Sequence, residues 1–276
     1  HMTQQRDQES DWIPQGVDLD RPSVARVYDY VLGGHHNFEI DRLAGDRFAK
    51  LVPDLELTAQ ANRAFLRRAA SFISQQGVDQ FLDLGSGIPT AGNVHEIVRR
   101  YIPDARVVYV DIEPVAIAHA NALLADDPGA AAILADARDT DTILNHPVVR
   151  ELIDFSRPVG LIAVAFIHYI VDDDEAVRMM QAFKDRLSPG SYLAISVWTF
   201  DDAPPDVLAR YEQLALELPI PGAPRPYRTV LGFFDGFELL EPGLVHGPSW
   251  RPDDPDDSLF DNPERSVGWT GVARKP

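Results

Sequence analysis

The chain contains no cysteine, which excludes disulfides, a thiolate nucleophile and any sulfur-ligated metal site. It also lacks a long hydrophobic run: the longest, Val159–Val171, is broken by Gly160 and His168 and is too short to span a bilayer. No charged-then-apolar segment opens the chain, which argues against export and favours the cytoplasm. His1-Met2 reads as a cloning remnant. Positive charge is scarce, with 25 Lys and Arg against 43 Asp and Glu, a formal charge of −18. Such a field repels phosphates, so a nucleic acid is not an expected partner, and nothing points to a membrane.

What is present suffices for a full core. Of 276 residues 45% are hydrophobic, ordinary for one large domain or a domain with an appendage. Eight of the 25 basic residues fall between Arg21 and Arg68, while acid gathers at Asp172–Glu175 and Asp253–Asp257. These runs read as solvated surface beside one locally basic helical segment.

Residues 1–20 are polar and aperiodic and read as a flexible arm. From Arg21 helical signals take over. Pro22-Ser23 start a helix with Val24, Val27, Tyr28 and Val31 at helical spacing, stopped by Gly33-Gly34. Asp41–Leu51 and Thr58–Gln76 follow, the latter with an apolar stripe of Ala61, Phe65, Ala69, Phe72 and Ile73. Residues 21–76 are therefore expected to form a helical cap or lid, and 77–276 a second unit. There strand-like segments (80–84, 106–112, 131–136, 159–167, 191–198) alternate with helices, which predicts a parallel sheet covered on both faces. After a helix at 205–218, a proline-rich loop and a short helix, 243–250 and 266–274 are expected to close the chain as an antiparallel pair.

The stretch "QFLDLGSGIPTAGNVHE" (80–96) joins a strand to a helix through a glycine turn. Gly85 and Gly87 let backbone approach a ligand, and the helix that follows offers free N–H groups. A dinucleotide fingerprint needs a further glycine at position 90, which is Thr90, and no Walker lysine follows. Asp83 is a poor neighbour for a pyrophosphate but suits a cationic amino group. The second strand ends at Asp111-Ile112, 24 residues beyond Gly87, where a carboxylate can accept both ribose hydroxyls. The third ends at Asp136-Ala137, placed for an adenine amino group, and the fourth at Ala165-Phe166. Acidic residues at successive strand ends, with Ser86 in the turn, outline an adenosine ligand with an amino-acid tail, whereas each aspartate alone could be a turn or cap residue.

The segments "RPSVARVYDYVLGGHHNFEIDR", "FLDLGSGIPTAGNVHE", "VYVDIEP" and "AVAFIHYI" resemble the S-adenosyl methyltransferase family long catalogued as a domain of unknown function. The resemblance covers nearly the whole chain. It implies an α/β class I, Rossmann-like fold: a doubly wound, mostly parallel seven-stranded sheet with an antiparallel C-terminal strand, an N-terminal helical cap and S-adenosyl-L-methionine as cofactor. Relatives usually carry Lys-Asp after the double glycine, where this chain has His35-His36.

Methyl transfer from a sulfonium depends on positioning, and a base is needed only for a protonated nucleophile. His168, Tyr169 and His36 are the candidates, with a satisfied histidine in the adenine pocket as the alternative for His168. Tyr28, Gly33 and Asn37 belong to a segment that reads either as a lid hinged at Gly33-Gly34, touching the cofactor, or as ordinary helix packing. Trp198, Tyr227 and Phe233 are expected around the acceptor. No further ligands accompany the two histidines, so no metal is expected. The leading reading is methyl transfer to a small molecule, in the setting of secondary metabolism; a homodimer is compatible with the sequence. Intramolecular cyclisation of the cofactor, or binding without chemistry, stays open as an alternative.

Overall fold

The computed structural model describes residues 13–89, 92–217 and 222–276. Five parallel strands form its centre: β1 (Gln80–Leu84), β2 (Arg106–Asp111), β3 (Ala130–Leu134), β4 (Gly160–Val164) and β5 (Tyr192–Trp198). Residues of β1 and β4 are buried throughout, as apolar runs covered on both faces must be. Two further strands, β6 (Glu238–Leu239) and β7 (Gly268–Arg274), complete the order β3-β2-β1-β4-β5-β7-β6. β7 runs antiparallel to both β5 and β6. This is the α/β, doubly wound, mostly parallel sheet expected, and its order reverses between β1 and β4, where ligands bind in open sheets.

Residues 243–250 do not form the expected strand. Val245 makes a single bridge to Thr270, and Gly247–Ser249 is a 3₁₀ turn. The reason is a side chain. Arg68 donates to the carbonyls of Gly247 and Trp250, at 2.8 and 3.0 Å, so these groups are satisfied without a ladder. β4 also ends earlier than read, because Ala165 takes a positive φ of 54° and Ile167–Tyr169 form a 3₁₀ turn.

Three helices precede the sheet: α1 (Val24–Val31), α2 (Glu39–Leu51) and α3 (Leu55–Gln75). α3 lays Phe65, Ala69 and Ile73 against Phe81, Val107 and Ile162, and each large apolar side chain so buried contributes about 2 kcal/mol. It is thus part of the layer covering the sheet, although it was grouped with the cap. α1 and α2 lie farther out, where Ala44 and Phe48 meet Val207 and Tyr211 of a later helix. A buried ion cluster fastens them: Arg26 Nε stands 3.1 Å from Asp41 and its Nη1 3.8 Å from Glu113. The described part of the arm is also tied down, since Asp18 and Arg21 offer their carbonyls to Arg26 at 2.8 Å. Residues 1–12 of the arm lie outside the described residues.

The remaining helices are α4 (Val94–Val98), α5 (Pro114–Leu123), α6 (Thr140–Leu144), α7 (Pro147–Leu152), α8 (Asp173–Arg186), α9 (Asp206–Glu217) and α10 (Tyr227–Gly232). The acidic runs have structural work. Asp172 caps α8, whose first turn carries Asp173, Asp174 and Glu175, where the helix dipole favours negative charge. Asp253 and Asp257 pair with Arg67 and Arg68 on α3.

Candidate active site

A cleft of about 500 Å³ opens beyond the carboxyl ends of β1 to β4. Its floor is the β1 turn. Gly85 and Gly87 both take positive φ, at 69° and 70°. A Cβ on Gly85 would stand 2.5 Å from the Phe166 ring, so the turn can pack there only as glycine. The Gly87 N–H donates to Asp111 Oδ2 at 2.7 Å, and the Glu113 N–H to Asp111 Oδ1 at 2.8 Å. Asp111 is thereby fixed by backbone at the side of the cleft. Burial still raises its pKa, to about 6. Asp83 is pushed up further, to about 8, chiefly by burial, with Arg63 opposing and Asp111 assisting. Its carboxyl has no hydrogen-bond partner among the described residues. Ser86 Oγ is likewise buried without a partner.

At the far rim Asp136 is held by Arg138 at 2.6 Å, which keeps its carboxyl below the usual range. Ala137 is buried beside it and Ile112 is exposed, and both line the cleft with Ala165 and Phe166. Thr90, at the position of the absent third glycine, lies outside the described residues. The cleft also takes in Asn62 and Arg63 from α3, which sequence reasoning missed. Their one signal was a pair of polar residues at the edge of α3's apolar stripe.

Behind the cleft lies a second chamber of about 140 Å³. Val24, Tyr28, Asn62, Ala165 and Tyr169 line both spaces and so form the wall between them. Hydrogen bonds hold that wall. The Ala165 N–H donates to Ser196 Oγ at 2.7 Å, Ser196 donates to Asn62 at 2.7 Å, and Asn62 Nδ2 donates to Tyr28 Oη at 3.1 Å. Tyr28 in turn donates to the Ala59 carbonyl at 3.1 Å. His168 is buried, and desolvation, assisted by Arg225, lowers its pKa to about 3. Its Nδ1 accepts the Trp198 N–H at 3.2 Å, which leaves the single proton of the neutral ring on Nε2. His168 is therefore a donor here, not the general base considered from the sequence. Burial raises Tyr169 strongly, so its phenol stays protonated as well. Arg225 steadies the turn that carries both, donating to the Ile167 carbonyl at 2.9 Å and pairing with Asp173 at 2.7 Å.

Several expected residues stand elsewhere. Gly33, His36 and Asn37 line neither space. They close α1 around the buried Asp29, whose Oδ2 accepts the His36 N–H and Asn37 Nδ2, both at 2.9 Å. A Cβ on Gly34 would fall 2.1 Å from that carboxylate, which explains the second glycine. The His36 ring meets that of His119, with centroids 3.6 Å apart, outside both spaces. Trp198 does line the chamber, but Phe233 is buried in the main core and Tyr227 packs on Trp269 at 5.1 Å. Among the described residues no group of His, Asp and Glu could hold a metal ion, and no helix is long and apolar enough to cross a membrane.

A family model described as S-adenosyl methyltransferase matches residues 10–276. A proposed methyltransferase from Thermobifida fusca YX is 44% identical, with a TM-score of 0.88 and 96% of this chain and 99% of that one covered. A DUF574 family protein from Streptomyces avermitilis MA-4680 is 36% identical, also with a TM-score of 0.88, over 94% of this chain and 99% of its own. No curated protein matches. With a turn, three strand-end acids and a fold of this kind, matched over nearly its whole length, the chain belongs to the S-adenosyl methyltransferase family, whose cofactor is S-adenosylmethionine.

Proposed function

We propose that this protein catalyses methyl transfer from S-adenosylmethionine to a small molecule held in the inner chamber. The observation that carries the reading is the shared wall: one cavity suited to the cofactor meets a second, largely apolar one across Val24, Tyr28, Asn62, Ala165 and Tyr169. The cofactor, when bound, supplies an electrophilic methyl group on a sulfonium. The residues present fit it. Asp83, raised and unpartnered, and Arg63 offer opposite charges for an ammonium and a carboxylate, and Ser86 Oγ awaits a polar partner. Asp111 is placed for ribose hydroxyls, and Asp136 with Ile112 and Ala137 for the adenine end. Phe166, Tyr28 and Tyr169 present aromatic faces that favour a positive centre. The protein's contribution is then to orient two reactants and exclude water, worth about 7–11 kcal/mol in favourable cases.

α1 supplies Ser23, Val24, Arg26 and Tyr28 to the cleft, which supports a covering role for residues 21–41. Three measurements test the reading. Calorimetry should show binding of S-adenosylhomocysteine and none of NAD; saturable NAD binding with no response to S-adenosylhomocysteine would sink it. Incubation with S-adenosylmethionine alone should give no 5′-methylthioadenosine, the product of internal cyclisation. Hydrogen exchange of residues 21–41 should slow on cofactor binding, and identical exchange with and without ligand would reduce α1 to packing.

A further inference from the structure

Resting on that reading, we infer that the methyl acceptor is an uncharged molecule with one ring about the size of benzene, which presents a nitrogen or sulfur lone pair needing no deprotonation. Size comes first. The chamber holds about 140 Å³, and an engineered apolar cavity of about 150 Å³ takes up benzene. A single ring fills most of that volume, and two fused rings crowd it. Trp198, set 5.6 Å from Phe48 and 5.1 Å from Tyr211, gives one flank an aromatic face on which a ring can pack.

Charge comes second. No Asp, Glu, Lys or Arg lines the chamber among the described residues. An ionic acceptor would lose its hydration there and find no counter-ion. Proton chemistry comes third. His168 keeps its proton on Nε2 because Nδ1 is engaged by the Trp198 N–H. Tyr28 is spoken for on both sides, as donor to Ala59 and acceptor from Asn62. Burial raises both tyrosines, so neither becomes a phenolate that could take a proton. An alcohol, phenol or carboxylic acid would therefore meet no base at this wall. A neutral amine, an aza-aromatic nitrogen or a thioether needs none. Its lone pair forms the bond to the methyl carbon, the carbon–sulfur pair stays with sulfur, and the positive charge moves to the acceptor atom. Any N–H proton is then lost to bulk water after release. His168 and Tyr169 remain as donors that can orient a second heteroatom on the ring.

The test uses the full chain saturated with S-adenosylhomocysteine, whose binding is measured first. Saturation-transfer NMR then compares pyridine, aniline and thioanisole with benzoate and benzylammonium, and with bicyclic quinoline. The neutral single rings should bind at least tenfold tighter than either ion or the bicycle. Val27 lines the chamber and not the cleft, so Val27→Phe should abolish ring binding and leave S-adenosylhomocysteine affinity unchanged. The inference is overturned by ions that bind as well as the neutral rings, by neutral rings that do not bind, or by a folded V27F that still takes them up. The wild-type comparison decides the matter even where V27F does not fold. Failure of S-adenosylhomocysteine to bind at all would instead overturn the cofactor reading on which this rests.

Discussion

The cleft gathers Asp83, Asp111, Asp136, Arg63 and Arg138 around one opening, whereas among the described residues the chamber behind its wall has His168 as its only ionisable side chain besides tyrosines. The two spaces share five residues, Val24 among them, yet burial acts on their linings in opposite ways. In the cleft it loads carboxyls with strain that a cationic ligand can relieve. In the chamber it removes every charge, so selection there rests on shape and neutrality. One molecule thus prepares a site for an ion and a site against ions a few ångströms apart, and it does so with the same instrument, desolvation.

That contrast can be broken most strongly at Asp83. Its folded pKa, about 8, lies above the ordinary carboxylate range, so the folded chain holds a proton that the unfolded chain releases. The contribution of Asp83 to stability is therefore fully present at low pH and is lost as pH rises from about 4 to about 8, by at most about 1.4 kcal/mol per pH unit. Urea denaturation at pH 5, 6.5 and 8 should show this decline in the free protein. Asp83→Asn should flatten it, and so should S-adenosylhomocysteine, whose ammonium favours the ionised carboxylate. An unaltered slope in D83N would remove Asp83 from that role.

Asp111→Ala comes next. It deletes a charged acceptor and leaves the Gly87 and Glu113 N–H groups unpaired, so S-adenosylhomocysteine affinity should fall by about 1.5–3 kcal/mol, roughly ten- to over a hundredfold. Calorimetry reads this directly, and an unchanged affinity in a folded D111A would place the ribose elsewhere. The smallest effect is expected at the wall. Ser196→Ala removes the hydroxyl between Ala165 and Asn62 and should lower stability by about 1 kcal/mol, because the Ala165 N–H keeps the Ser196 carbonyl at 3.2 Å. Binding in both spaces should weaken by less than tenfold. A response confined to one space would show that the wall is not shared.

The cleft was legible in sequence where the chain itself fixes geometry. A strand buried on both faces must be apolar, so the polar residue that ends it stands out, and Asp83, Asp111 and Asp136 were found that way. Asn62 and Arg63 were hidden because an amphipathic helix displays polar residues all along its outer face, and only packing decides which two meet the sheet's open end. The double glycine carries a second meaning that spacing does not show. Its spacing suits a hinge, but its purpose is set by Asp29, whose carboxylate occupies the space a side chain on Gly34 would need. The segment 243–250 was apolar enough for a strand, yet a single arginine 179 residues away from Gly247 in the chain satisfies it instead. Of the chamber, sequence reasoning reached Tyr28, His168, Tyr169 and Trp198 but not its apolar remainder, since that lining comes from α1, α2, α3, β5, β7 and the turns after β4 and before β7.

Ala165 gives the wall an evolutionary lever. Its left-handed backbone, at φ 54°, costs a residue with a side chain about 1–2 kcal/mol that glycine would not incur. The partition between the two spaces therefore rests in part on one methyl group kept against a stability gradient. A single nucleotide change to a glycine codon would relieve the strain and widen the passage together, so broader acceptor tolerance is reachable in one step that is not opposed by stability. Contraction is harder, because every larger side chain adds bulk to an already strained backbone. A saturation library at position 165, sorted for uptake of bicyclic rings, should enrich glycine, and enrichment of bulky residues would show that the lineage is free to drift the other way.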